Sequence, residues 1–100
     1  QLTSVDVSNN SALELLNVAH SQLDSLDVSN NTSLNTFDCY GNNLTYLNMK
    51  NGVTVGLTEF IARNNSLVCI ETLDPDYATE NWTHANGNID DGVIFAIECP

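Results

Sequence analysis

The sequence predicts a solenoid of stacked extended turns, mostly β, with little helix. Two observations carry this. Residues 2–22, LTSVDVSNNSALELLNVAHSQ, recur 21 positions later as residues 23–43, LDSLDVSNNTSLNTFDCYGNN, and again as residues 44–66, LTYLNMKNGVTVGLTEFIARNNS, with two extra residues. Apolar residues fall in triplets of the form L-x-x-L-x-L, and no stretch sustains a helical period. The triplets are Leu2, Val5, Val7; Leu13, Leu16, Val18; Leu23, Leu26, Val28; Leu34, Phe37, Cys39; Leu44, Leu47, Met49; and Leu57, Phe60, Ala62.

Each element follows from the triplet. The final L-x-L alternates, so its two apolar residues point to one side of a strand. A single turn cannot bury that side. Stacked turns can, at roughly 1.5–3 kcal/mol per fully buried side chain, with parallel strands about 4.8 Å apart. Three residues past each triplet stands Asn or a small residue: Asn10, Ser21, Asn31, Asn42, Gly52 and Asn65. There the chain must turn inside the stack, and its N–H and C=O groups need partners. A short amide can serve its own turn and the next. Repeated at one position, the amides of Asn10, Asn31, Asn42 and Asn65 make a structural ladder.

The pattern resembles the leucine-rich-repeat family over nearly the whole chain. The consensus L-x-x-L-x-L-x-x-N-x-L is matched at Leu34, Phe37, Cys39, Asn42, Leu44 and at Leu57, Phe60, Ala62, Asn65, Leu67. Leu13, Leu16, Val18 and Leu23 match with Ser21 in the asparagine place. The nested halves, LTSVDVSNN and LDSLDVSNN, are similar to the bacterial 21-residue class of secreted and surface proteins, internalin-like in the broad sense. This resemblance implies a right-handed leucine-rich-repeat solenoid with a short parallel sheet. Its concave strands would be Leu15 to Ala19, Thr36 to Tyr40 and Glu59 to Arg63. The outer returns, which could also be extended, would be Ser4 to Ser8, Ser25 to Ser29 and Tyr46 to Lys50, with Asp6 and Asp27 facing solvent. A concave working face would then display Asn17, Asp38, Tyr40, Glu59, Ile61 and Arg63 to a protein or glycan ligand, with His20 at its margin.

After Leu67 the period fails, which divides the chain into repeats (1–66; units 2–22, 23–43 and 44–66) and a C-terminal cap (67–100). Asp74-Pro75 is a helix start, predicting a short helix over about residues 75–81. NGNIDDG (86–92) is turn-rich, and VIFAI (93–97) is a buried strand expected beside Glu59 to Arg63. A cap of this kind shields the last coil of a solenoid. Similar bacterial repeat proteins end with a Cys after the last leucine, an Asn-Trp and a final Cys, here Cys69, Asn81-Trp82 and Cys99. These two cysteines bracket the cap and are expected to form a disulfide, with two free thiols as the alternative. Cys39, at an inward position, is expected to be a buried thiol.

The net charge of −11, from thirteen acidic and two basic residues, excludes nucleic acid and anionic membranes as partners. No run approaches the ~20 apolar residues of a membrane span. No cofactor or metal motif is present: His20 and His84 are isolated, and no C-x-x-C occurs. Asp90 and Asp91 offer a loose calcium site, weighed against a solvated acidic turn. Asp74 and Asp76 fit helix capping better than paired catalytic acids. The sequence therefore predicts a non-enzymatic extracellular module, secreted or on the cell surface, for recognition or spacing. The alternative is an accessory domain of a larger secreted enzyme whose catalytic domain lies outside these residues. The first repeat begins without a cap, from which the chain is expected to be the C-terminal part of a longer protein. It is expected to be monomeric when dilute, with edge pairing through the N-terminal end at high salt.

Overall fold

An L-x-L run every ten to thirteen residues gives each unit two stretches able to form strands. The computed structural model describes residues 3–53 and 56–99. Its elements are β1 (Leu15–Asn17), β2 (Ser25–Asp27), β3 (Thr36–Asp38), β4 (Tyr46–Met49), β5 (Glu59–Ile61), β6 (Cys69–Thr72), α1 (Pro75–Asn81) and β7 (Ile94–Ala96). Strands β1 to β6 alternate between two parallel sheets and β7 joins the second, giving the orders β1-β3-β5 and β2-β4-β6-β7, which wind into a β-solenoid of about three turns.

The register follows the repeat. Leu16 pairs with Phe37 and Phe37 with Phe60 in the first sheet; Leu26 pairs with Leu47 in the second. Like side chains therefore stack along the solenoid axis. The Phe37 and Phe60 rings lie 5.9 Å apart, centre to centre. Leu23, Val28, Leu34, Cys39, Leu44 and Leu47 are fully buried between the sheets. The outer returns are thus not only a connection. Two of them, β2 and β4, form a sheet of their own, because each half-unit carries its own inward L-x-L. Residues 4–8 form no ladder with β2; a cavity of about 260 Å³ lined by Val5, Val7, Ser25 and Leu26 separates them. The Val7 carbonyl accepts instead from the side chain of Asn31.

The strands are shorter than the five residues expected, and the sequence supplies the reason. The Asp or Asn between the two apolar residues of each L-x-L run folds its side-chain oxygen onto the amide two residues on, which closes β1, β2 and β3 at that residue. Asp6 accepts from Ser8, Asn17 from Ala19, Asp27 from Ser29, Asp38 from Tyr40 and Asn48 from Lys50. Asp6 and Asp27 are exposed, but each carboxylate is engaged locally. The Ser8 hydroxyl, with the Ser8 amide, holds the Asp6 carboxyl below its ordinary range. Next in each turn comes a left-handed residue: His20, Gly41, Asn64 and Gly87 have φ of 57°, 73°, 62° and 79°. In this conformation the backbone swings its next side chain into the stack.

That next side chain builds the ladder. Asn42 donates to Val18 O of the preceding turn (3.0 Å) and to Cys39 O of its own (3.1 Å), and accepts from Leu23 N (3.0 Å). Asn65 repeats this one turn on, with Cys39 O, Ala62 O and Leu44 N. The opposite corner has a second ladder. Asn31 donates to Val7 O and Asn10 O, and Asn51 to Val28 O. Asn10 itself is exposed and lends only its carbonyl. Asn51, not Gly52, is the buried rung, because the two extra residues of the third unit begin the corner one position early. The Asn31 side-chain oxygen has no partner among the described residues.

The stack runs past Leu67. β6 pairs with β4, and Leu67 and Ile70 join the core. Helix α1 starts as its Asp-Pro predicts: Asp74 accepts from Tyr77 N, and Pro75 opens the first turn. The expected placement of VIFAI is wrong. Its strand, β7, pairs with β6 in the second sheet (Ile70 opposite Phe95), not beside β5. The place beside β5 is taken by residues 82–90. Trp82 packs on Phe60 at 4.4 Å, Asn88 O accepts from Ala62 N, and the Asp90 carboxylate accepts from Asn64 N and Asn65 N. Cys69 and Cys99 form a disulfide with Cα atoms 5.8 Å apart. Cys39 is a buried free thiol, and burial, aided by the charge of Asp38, pushes its pKa well up.

Two outcomes follow. Asn42→Ala removes the side-chain partner of Val18 O and Leu23 N, while Cys39 O keeps Asn65, and is expected to cost about 1–3 kcal/mol in denaturant melts. Asp27→Asn keeps the oxygen that Ser29 needs and should stay within about 0.5 kcal/mol of neutral; equal effects would refute the ladder. Removing the disulfide by Cys69→Ala with Cys99→Ala should cost about 3.5 kcal/mol by the chain-entropy relation. In the unreduced parent, thiol labelling should find only Cys39, and only after unfolding.

Candidate functional site

Side chains that alternate with the core residues of β1, β3 and β5 form rows across the outer face of the first sheet. Leu15, Thr36 and Glu59 make one row; Asn17, Asp38 and Ile61 make the next. Beyond the strand ends, Tyr40 and Arg63 continue the pattern. Asn17 and Asp38 each commit one side-chain oxygen to a backbone amide, so they shape the face as much as they present it.

Tyr40 gathers its neighbours. The Arg63 guanidinium lies 5.1 Å from the Tyr40 ring centre, and the His20 ring meets it edge-on at 5.2 Å. Gly41 leaves room for that imidazole, since a Cβ there would stand 3.2 Å from His20 Nδ1. Glu59, Ile61 and Arg63 are brought together differently, as the floor of a groove. Residues 81–88 of the cap rise beside them as a wall, with Asn81, Trp82, Asn86 and Gly87 facing the floor across about 650 Å³. Glu59, Ile61 and Arg63 therefore share one site. Asn17 and Asp38 lie on the open sheet outside it.

The wall was missed from sequence, although a signal existed. Residues 85–88, Ala-Asn-Gly-Asn, repeat the corner Ala-Arg-Asn-Asn of residues 62–65, with Gly87 in the left-handed position and Asn88 in the rung position. Asn88 acts accordingly, donating to Phe60 O at 2.7 Å and accepting from Thr83 N. The corner returns 23 residues after Asn65, but its flanks carry α1 and no L-x-L, which hid the match.

Asp90 and Asp91 are a poor calcium site. Both oxygens of Asp90 are taken by the amides of Asn64 and Asn65, at 2.8 and 3.0 Å, and Asp91 is exposed. Among the described residues no three His, Cys, Asp or Glu side chains are grouped to hold a metal ion.

The opposite sheet ties up its own polar groups. The Glu71 carboxylate accepts from Cys99 N (3.0 Å) and the Tyr46 hydroxyl (3.2 Å) and pairs with Lys50 (3.6 Å). Arg63, the other basic residue of the two, makes no ion pair among the described residues. The basic side chain without an ion pair thus sits on the first sheet, at the groove.

Neither a protein-family description, nor a curated protein, nor a solved structure matches the chain.

The Glu71 knot titrates. The Cys99 amide, then Lys50 and the Tyr46 hydroxyl, hold its carboxyl below the usual glutamate value, while desolvation and the Glu71 charge raise Tyr46. A depressed carboxyl contributes stability that is full above its unfolded pKa and is lost as pH falls through the folded one. Acid should therefore loosen the tail. Exchange of the Cys99 amide is expected to speed up, relative to core amides, as pH drops below the ordinary glutamate range. Glu71→Gln should abolish that pH dependence.

Proposed function

We propose that the chain is a non-catalytic recognition module of the leucine-rich-repeat type, secreted or held at a cell surface, that binds a protein or glycan through the first sheet and its groove. The observation that carries this reading is the contrast between the two sides of one sheet. The inward side repeats from turn to turn: Leu16, Phe37 and Phe60. The outward side changes at every position, as in Asn17, Asp38 and Ile61, while the backbone holds these residues in fixed register. A stack that repeats inside and varies outside is suited to display.

Chemistry within the chain has little support. The one free thiol is buried with its pKa pushed up, so it is not a nucleophile. The Cys69–Cys99 disulfide fits an oxidising compartment, and among the described residues no helix is long and apolar enough to cross a membrane. The two-sheet winding and the nested 21-residue unit favour the leucine-rich-repeat assignment. The net charge of −11 favours a monomer.

The test is selection against the intact chain, using a phage-displayed peptide library and a printed glycan array. Binders retained by the parent should be lost on Tyr40→Ala/Arg63→Glu, whose melt should match the parent's. They should survive Lys50→Ala on the opposite sheet. Binders indifferent to the first variant and lost with the second would place recognition on the other face and overturn the proposal.

A further inference from the structure

We propose that the groove between β5 and residues 81–88 binds a short neutral oligosaccharide, held over Ile61 between Glu59 and Arg63 by the side-chain amides of Asn81 and Asn86. The inference rests on the recognition reading above and names its ligand class.

Size is the first argument. At about 650 Å³ the groove lies within the usual range of about 300–1,000 Å³ for small-ligand sites. It is open along its length, which suits a chain better than a single compact molecule.

Polar chemistry is the second. The lining includes Glu59, Arg63, Asn81 and Asn86, with Thr58, whose hydroxyl already donates to Asn35 O. Asn81 uses its NH₂ on Tyr77 O, and Asn86 points its NH₂ at Asn81 O across a long 3.5 Å. Both amide oxygens remain without a partner among the described residues. A sugar hydroxyl donates one hydrogen bond and accepts others, so vicinal hydroxyl pairs match a wall that offers donors and acceptors side by side. Ile61 and Gly87 supply an apolar strip for the C–H face of a pyranose ring.

Charge and aromatics exclude the competitors. Glu59 and Arg63 are the charged residues of the lining, and although they form no ion pair their formal charges sum to zero, in a chain of net charge −11. An acidic polymer would be repelled by the surroundings, and a basic one would meet Arg63. A protein partner is best held by aromatic or apolar anchors in deep pockets. Here the aromatics are already occupied: Trp82 is only 6% exposed, packed on Phe60 and Phe95, and the Tyr40 face is covered by Arg63.

Rigidity is the last argument. The wall is stitched to itself and to the sheet: Asn86 N donates to Thr83 Oγ1, Gly87 N to His84 O, Asn88 N to Thr83 O, and Asn88 Nδ2 to Phe60 O. A preformed wall loses little conformational freedom on binding, which matters for ligands that gain little per contact.

The experiment is a ¹H–¹⁵N titration of the whole chain with cellotetraose, xylotetraose, mannotetraose and chitotetraose, each to about 10 mM, followed by acetylated extended peptides. At least one saccharide should shift the amides of residues 58–63 and 81–88, with Kd on the order of 0.1–1 mM. Asn86→Ala and Glu59→Gln should each weaken it at least about fivefold, and Asn43→Ala, away from the groove, should not. If peptides shift these amides and no saccharide does, the sugar assignment falls while the face keeps its recognition role. If no probe shifts them, both fall.

Discussion

Everything in this molecule depends on how the backbone is satisfied at its inner corners. Parallel strands stacked in register leave each turn with carbonyl and amide groups pointing into an apolar interior, where an unpaired group costs roughly 1–3 kcal/mol. Asn42 and Asn65 each satisfy groups of two consecutive turns at once. The left-handed residue before them, Gly41 or Asn64, aims the amide inward. Without that pair of residues the strands could still form, but the turns between them could not be buried, and the two sheets could not close on one core.

The same device reaches the other end of the chain in altered form. Where a next turn would supply carbonyls, the cap supplies Asn88 and the Asp90 carboxylate to the amides of Ala62, Asn64 and Asn65. Capping the first sheet therefore builds the groove as a by-product: the loop that satisfies β5 is also its wall. The second sheet solves its problem differently, by adding β7 and pinning the tail through Glu71 and the disulfide. One face ends with its polar groups neutralised and the other ends in a cleft.

Much of this was legible in the residues. Strands β1 to β5 begin at the predicted positions because L-x-L alternation at a fixed offset admits one stacked arrangement, whereas residues 4–8 form no strand and β6 was not foreseen; α1 spans the residues that Asp74-Pro75 announced. Strand ends were less legible. The Asp and Asn that close them also occur in loops, and only the repeated two-residue offset to the accepting amide distinguishes them. The sheet joined by β7 could not be inferred from VIFAI itself, since a short apolar run carries no address; it was decided by which edge residues 82–90 had already covered. The floor of the groove was visible as Glu59, Ile61 and Arg63. Its wall was not, because a helix interrupts the fourth return of the corner motif.

The disulfide has a mechanical meaning apart from its thermodynamic one. Cys99 is tethered directly to Cys69, at the start of β6. A pulling force applied at Cys99 enters the molecule at that strand and bypasses residues 70–98, so α1, β7 and the groove wall carry no tension while the bond is intact. The load passes from Cys69 to residue 68 and the turns before it, and the pairing of β6 with β4 at Glu71 and Thr72 stays off its path. Reduction reroutes the same force through β7 and the helix, which can peel away one bond at a time. The covalent link thus makes the cap a shielded element, and holds the groove in shape on a chain that is being stretched.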